Sequence, residues 1–134
     1  MTRLRCWLAA VGAALATNAL QAAPDPVHGE QVYARCAACH ALAHDRVGPR
    51  HCSLLGRRAG SLPGFPYSRA MRDSRITWEE QALDVFLSNP MKTVPGTTMT
   101  YDGVADAQDR SDLIAYLKRA GETPECRRST PGRE

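Results

Sequence analysis

The 134-residue chain has few aromatic side chains, little net charge and no long apolar run. Aromatic residues make up 6% of the chain and the formal net charge is only +3, which excludes a strongly basic nucleic-acid-binding protein. The longest apolar run, Trp7–Ala16, covers ten residues, whereas a membrane-spanning helix needs roughly 20. We find no internal repeat and no convincing strand pattern. The sequence therefore predicts a small single domain with a modest core.

The first 23 residues have the pattern of an export signal. A basic start with Arg3 and Arg5 precedes the apolar run, and small residues follow it up to Pro24. We expect cleavage after residue 23 and a periplasmic mature protein, with a retained membrane anchor as the alternative. The mature chain then divides into a domain over 24–121 and a polar tail over 122–134, which we expect to fray.

The most informative motif is Cys36-Ala37-Ala38-Cys39-His40. A C-x-x-C-H run is typical of covalent haem attachment, because the two thiols can each add to one vinyl group of the macrocycle. The adjoining His40 is then placed to bind the iron. The motif therefore predicts one haem c, held by Cys36 and Cys39 and ligated by His40.

Three other interpretations of the same residues remain open. A thioredoxin-like redox pair needs a preceding strand in a βαβ pattern, but the segment before Cys36 looks helical. A zinc site needs a second ligand pair, and Cys52 and Cys126 stand alone. A disulfide between Cys36 and Cys39 is compatible with the spacing.

Apolar periodicity predicts an all-α fold with three main helices and loops around one haem. The first helix is expected over Val27–Arg35 and the last over Ala107–Ala120. The middle helix is expected to begin at Thr77, a plausible N-cap three residues before Glu80, and to end at Asn89-Pro90. A short helix is expected over Ser68–Arg72.

Met99 is the best candidate for the sixth iron ligand. It ends an irregular loop in which Pro95 restricts the backbone and Gly96 permits close approach to a macrocycle. Met71 and Met91 are the alternatives.

Together, these segments resemble class I cytochromes c of the short bacterial type. The resemblance covers nearly all of 24–121, in the order and spacing of the family. The segments that carry it are Gly29 to Tyr33, Cys36 to His40, Val47-Gly48-Pro49, Leu55-Gly56-Arg57, Pro63 to Tyr67, Ile76-Thr77-Trp78, Asn89-Pro90, Val94 to Met99 and Asp112 to Leu117.

The resemblance implies a role for each matching residue. His40 and Met99 would be the axial ligands, and the Pro49 carbonyl would accept a hydrogen bond from the His40 ring. Gly29 and Tyr33 of the first helix would cross the last helix near Tyr116. A network around a buried haem propionate would comprise Arg57, Tyr67, Trp78 and Thr97.

Three positions depart from the family pattern. Phe86 stands where a tyrosine is common, and Met71 stands where an asparagine is common. The segment Arg50-His51-Cys52 replaces residues that are usually apolar or neutral. We expect the histidines outside the haem motif, His28, His44 and His51, to be surface residues rather than ligands.

The resemblance implies an exported, diffusible one-electron carrier rather than an enzyme. Donors would be a quinol-oxidising complex or a periplasmic dehydrogenase, and acceptors an oxidase or reductase. We expect a monomer with no nucleic-acid partner and no permanent membrane anchor. The alternatives are a peroxidase-like haem enzyme, which needs an open sixth position, and a small subunit of a larger redox complex.

Cys52 and Cys126 are the two cysteines left in the mature chain without a haem role. Export would place this even pair in an oxidising compartment, where thiols tend to pair. We therefore expect a Cys52–Cys126 disulfide, with two independent free cysteines as the alternative.

Overall fold

The computed structural model describes residues 22–129, so the predicted signal falls almost entirely outside the described part of the chain. Six helices occupy this part and a single isolated bridge, Arg58 to Thr77, is its only β pairing. The all-α prediction is confirmed. In chain order the helices are α1 Pro26–Tyr33, α2 Arg69–Asp73, α3 Glu80–Ser88, α4 Pro90–Thr93, α5 Ala107–Gly121 and α6 Pro124–Arg128.

The longest helices, α1, α3 and α5, are the three main helices that the sequence predicts. Short polar side chains begin most of the helices by accepting a hydrogen bond from a backbone N–H of the first turn. Asp25 accepts from Val27 N at 2.8 Å and Asp106 from Asp109 N at 2.9 Å. Asn89 ends α3 and caps α4, accepting from Lys92 N at 3.0 Å. Within residues 22–129 no helix is both long and apolar enough to span a membrane.

The predicted capping box at Thr77 is wrong. Helix α3 begins at Glu80, its N-cap is Glu79, and no side chain caps it. Thr77 instead pairs with Arg58 in the isolated bridge, and Trp78 N donates to Arg57 O at 2.9 Å. Tertiary pairing with the 57–59 segment therefore prevails over the local capping preference.

Helices α1 and α5 cross in close contact, as the sequence predicts. A Cβ added at Gly29 would lie 1.9 Å from Asp112 O and 2.9 Å from Tyr116 Cβ, so only glycine fits there. The Tyr33 and Tyr116 rings pack 5.2 Å apart between centroids. This crossing fixes the position from which the haem motif leaves α1.

A buried carboxylate reinforces the crossing. Asp112 is 3% exposed and accepts hydrogen bonds from Asp25 N at 2.7 Å, from His28 Nδ1 at 2.8 Å and from Gln108 Nε2 at 2.9 Å. Burial opposes the charge, but these hydrogen bonds outweigh it and lower the pKa of Asp112. The bond to Asp112 raises the pKa of His28. His28 is therefore a partly exposed link between α1 and α5.

The first part of the tail is a helix rather than an irregular segment, contrary to expectation. Pro124–Arg128 form helix α6, and Thr123 caps it. Cys126 is 1% exposed and lies beside Cys52, with the two Cα atoms 4.9 Å apart, a separation that suits a disulfide. The last residues of the predicted tail, 130–134, lie outside the described part of the chain.

Candidate haem site

Every haem-site residue that the sequence predicts lines one cavity of about 290 Å³. Its walls come from the end of α1, the loops after the haem motif, and helices α2, α3 and α5. The lining includes both cysteines of the motif, both candidate axial ligands and the predicted hydrogen-bonding residues, namely Cys36, Cys39, His40, Pro49, Arg57, Tyr67, Trp78, Thr97 and Met99.

The haem motif folds as a turn directly after α1. Cys36 N donates to Tyr33 O at 2.8 Å, and His40 N donates to Cys36 O at 2.9 Å. Both Cys36 and Cys39 are free thiols, so neither is used in a bridge. Burial raises the pKa of Cys36, which is the reverse of a thioredoxin-type activated thiol. The two thiols and His40 therefore face one cavity from a single turn.

The open zinc and disulfide interpretations gain no support from this geometry. Within residues 22–129 no group of three or more His, Cys, Asp or Glu side chains is arranged to hold a metal ion. Cys52 and Cys126 lie beside each other, with their Cα atoms 4.9 Å apart, and do not join Cys36 and Cys39 in one group.

His40 presents one ring nitrogen to a fixed acceptor. Its Nδ1 lies 2.7 Å from the Pro49 carbonyl, which requires the proton on Nδ1 and leaves the lone pair on Nε2. Burial lowers the pKa of His40, while the Pro49 bond opposes that shift. A Cβ at Gly48 would lie 2.3 Å from His40 Cε1, so the glycine lets the backbone pack against the ring. The neutral imidazole is thus oriented as an iron ligand.

His51 is not the surface residue that the sequence predicts. Its ring is half-buried, lines the cavity and stacks on the His40 ring, with centroids 4.2 Å apart and planes at 23°. Burial, then the nearby His40 and Arg57, hold the pKa of His51 well below its usual range. Of the other two histidines, His44 is exposed and the His28 side chain is 43% exposed. The sequence does not predict that His51 lies in the site. The one usable signal is its position two residues after Pro49, the residue expected to bond to His40.

Arg57 supplies a half-buried positive charge with one buried donor unused. Its terminal nitrogens donate to Cys52 O and Arg50 O, each at 3.0 Å. Its Nε is buried and finds no hydrogen-bond partner among the described residues. Burial lowers the pKa of Arg57 and raises the pKa of the neighbouring Tyr67. An orphaned guanidinium donor in the wall of an apolar cavity fits the carboxylate of a haem propionate.

The methionine loop is closed by its own hydrogen bonds. Gly96 adopts a φ of +91°, Thr97 N donates to Val94 O at 3.0 Å, and Thr97 Oγ1 accepts from Met99 N at 3.2 Å. Met71 also lines the cavity and is 8% exposed, whereas Met91 is 44% exposed on α4 and is not part of the lining. The cavity therefore offers two thioethers, from Met99 and Met71.

Comparison with known proteins agrees with this geometry. The family model described as cytochrome c matches residues 26–121. The chain belongs to the cytochrome c family. It carries one covalently attached haem c, and it is an electron-transfer protein rather than an enzyme.

Two bacterial cytochromes c2 and one solved structure represent its relatives. The chain is 49% identical to the protein of Rhodomicrobium vannielii over 114 residues, covering 82% of this chain and 91% of the relative. It is 43% identical to the protein of Blastochloris viridis over 107 residues, covering 78% and 84%. The structure of cytochrome cH from Methylobacterium extorquens matches with a TM-score of 0.69 at 38% identity, covering 71% of this chain and 98% of that one.

Proposed function

We propose that this cytochrome c is an exported, freely diffusing one-electron carrier whose iron is ligated by His40 and Met99. The observation that carries the proposal is the single cavity shared by the haem motif and the methionine loop. The haem supplies a centre that gains and returns one electron when bound. The protein's part is to hold that centre and to control access to it.

The axial pair is supported by the two loops that present it. The Pro49 carbonyl orients the His40 ring, and Thr97 ties down the backbone of Met99. Met71 sits instead on helix α2, buried in the core, with its backbone N–H bonded to Ser68. A thioether at the sixth site favours the reduced iron and raises the reduction potential. With His40 and Met99 both holding the iron, the site would leave no position for a substrate.

The remaining residues hold the macrocycle. Cys36 and Cys39 would form the two thioether bonds, and Arg57 would bond a propionate with help from Tyr67, Trp78 and Thr97. The Trp78 ring packs on Phe86, 4.9 Å between centroids, and is 7% exposed. Placing a propionate in so apolar a wall costs free energy unless a cation compensates it. Arg57 is that cation.

The predicted export signal and the similarity to cytochromes c2 support a role between periplasmic redox partners. The carrier would accept electrons from a quinol-oxidising complex or a periplasmic dehydrogenase and pass them to an oxidase or reductase. It would act as a monomer in the periplasm, without a permanent anchor. Gel filtration of native extracts distinguishes a free carrier from a small subunit of a larger redox complex, because such a subunit would elute together with that complex.

Met99→Ala tests the ligand set. We expect the haem to stay attached while the weak long-wavelength band of thioether-ligated ferric haem disappears, because Met71, the other thioether of the cavity, is packed in the core on α2 and does not take the place of Met99. Exogenous imidazole should then bind the iron readily. Met91→Ala, an exposed methionine outside the cavity, is the matched control and should leave the band intact. A band that survives in Met99→Ala but is lost in Met71→Ala would transfer the ligand role to Met71.

A further inference from the structure

The His51 ring, which stacks on His40, is also held by Tyr33. Its Nδ1 lies 3.2 Å from the Tyr33 hydroxyl oxygen, and the two rings meet edge to face at 5.7 Å between centroids. Tyr33 in turn belongs to α1 and packs on Tyr116 of α5. Tyr33 therefore ties the position of the His51 ring to the crossing of α1 and α5.

The His51 backbone is equally constrained. Its N–H is shared between the carbonyls of Ala41 and Leu42, at 3.1 Å each, and its carbonyl accepts from Leu54 N at 3.0 Å. The next residue, Cys52, donates its N–H to Leu42 O at 2.8 Å. A ring fixed through both backbone and side chain cannot turn to follow a neighbour that moves.

Three contacts therefore restrict the orientation of the His40 ring. The Pro49 carbonyl holds Nδ1, the Gly48 backbone packs against the ring, and His51 covers one face of it. The hydrogen bond alone would allow the ring to swing about the line from Nδ1 to the carbonyl. Stacking removes that freedom, because tilting His40 would separate two rings in contact.

We propose that His51 is a positioning residue that fixes the ring plane of the axial ligand His40, an inference that rests on the proposed ligation by His40. Holding the ring in line with the Pro49 carbonyl strengthens electron donation from the imidazole to the iron, since a ligand hydrogen-bonded at its other nitrogen is more basic. A more basic ligand stabilises the oxidised iron. Loss of the stack should therefore favour the reduced form.

The test uses the haem-loaded protein with His51→Leu and His51→Phe. Leucine fills space without a flat ring, whereas phenylalanine keeps the stack but loses the bond to Tyr33. In His51→Leu we expect the one-electron equilibrium with a reference dye to shift about threefold toward reduced protein. We also expect the paramagnetically shifted haem-methyl NMR signals of the ferric form, which report the axial ring plane, to be redistributed. Both readings should stay near those of the parent in His51→Phe.

The outcomes separate this inference from the ligand proposal. Unchanged equilibrium and unchanged haem-methyl signals in His51→Leu would overturn it, as would equal changes in His51→Leu and His51→Phe. If His51→Leu fails to retain haem, His51→Met, which also lacks a flat ring, takes its place beside His51→Phe: redistributed signals in His51→Met with parent-like signals in His51→Phe support stacking as the cause, and parent-like signals in His51→Met refute it. A parent protein lacking histidine ligation in its spectrum would refute the proposed function instead.

Discussion

At the scale of single residues, the cavity wall holds one half-buried guanidinium, that of Arg57, besides the exposed Arg35. Arg57 makes no salt bridge with any of the described acidic residues, and its Nε is the unpaired buried side-chain donor of this part of the chain. Leaving a buried donor unsatisfied costs about 1–3 kcal/mol, and more when the group is charged. Arg57 is therefore the residue whose substitution is most informative about the bound cofactor.

Arg57→Met should lower the reduction potential of the haem-loaded protein. Removing a positive charge beside the cofactor stabilises the oxidised state, and a tenfold change in the equilibrium corresponds to about 59 mV for one electron. We expect a decrease of this order in a spectroelectrochemical titration. Arg57→Lys keeps the charge and is the control. Equal decreases in both variants would mean that the bonds to Cys52 O and Arg50 O, rather than the charge, set the potential.

At the scale of helices, the α1–α5 crossing organises the site. Gly29 lets the two backbones touch, Asp112 accepts hydrogen bonds from the segment around α1, and the haem motif begins three residues after α1 ends. A shift of α1 against α5 would move Tyr33, and with it the support of His51. Packing here therefore affects both stability and ligand geometry.

Gly29→Ala should destabilise the fold. The added methyl group would lie 1.9 Å from Asp112 O, and because that atom is backbone the helices must separate. Overpacking of this kind costs about 1–3 kcal/mol in unfolding free energy, which guanidinium titration monitored by circular dichroism can resolve. Gly121→Ala is the matched control, since nothing lies within 4 Å of its added Cβ. A loss of stability as large in Gly121→Ala would show that close contact at Gly29 is not the cause.

At the scale of the whole molecule, the cavity is built from segments far apart in the sequence. Tyr33 on α1, Trp78 before α3 and Leu117 on α5 line the same volume. The Cys52–Cys126 pair spans 74 residues and joins the loop after the haem motif to α6. We propose that this bridge forms in the exported protein and limits the separation of its two ends.

Replacing both cysteines, Cys52→Ala with Cys126→Ala, should lower stability. The chain-entropy model gives about 4–5 kcal/mol for a loop of this length, with strain and residual structure reducing the measured value. The comparison is between denaturant midpoints of the parent and the double variant, each with haem attached. Mass spectrometry of non-reduced, alkylated protein is the direct check. Two alkylated thiols at these positions in protein isolated from the periplasm would refute the bridge.

The sequence predicts much of this molecule because its strongest signals are local or tied to covalent chemistry. The Cys36 to His40 motif, the apolar stripe of α5 and the break at Asn89-Pro90 each depend on neighbouring residues, and the structure shows the corresponding turn, helix and helix end. The resemblance also places Arg57 and Met99, and both line the cavity. Their roles in binding the haem stay predictions that the experiments above can test.

Three features were decided only by tertiary structure. Thr77 lost its capping role because the backbones of its neighbours Ile76 and Trp78 pair with the 57–59 segment, and 124–128 became helical beside a buried Cys126. His51 became part of the site because the loop after Pro49 folds back onto His40. The sequence by itself determined the haem motif, the helical class and the family, since these depend on residue types at short spacing. Which distant side chains share the cavity depends on how the chain packs, and no local pattern encodes that.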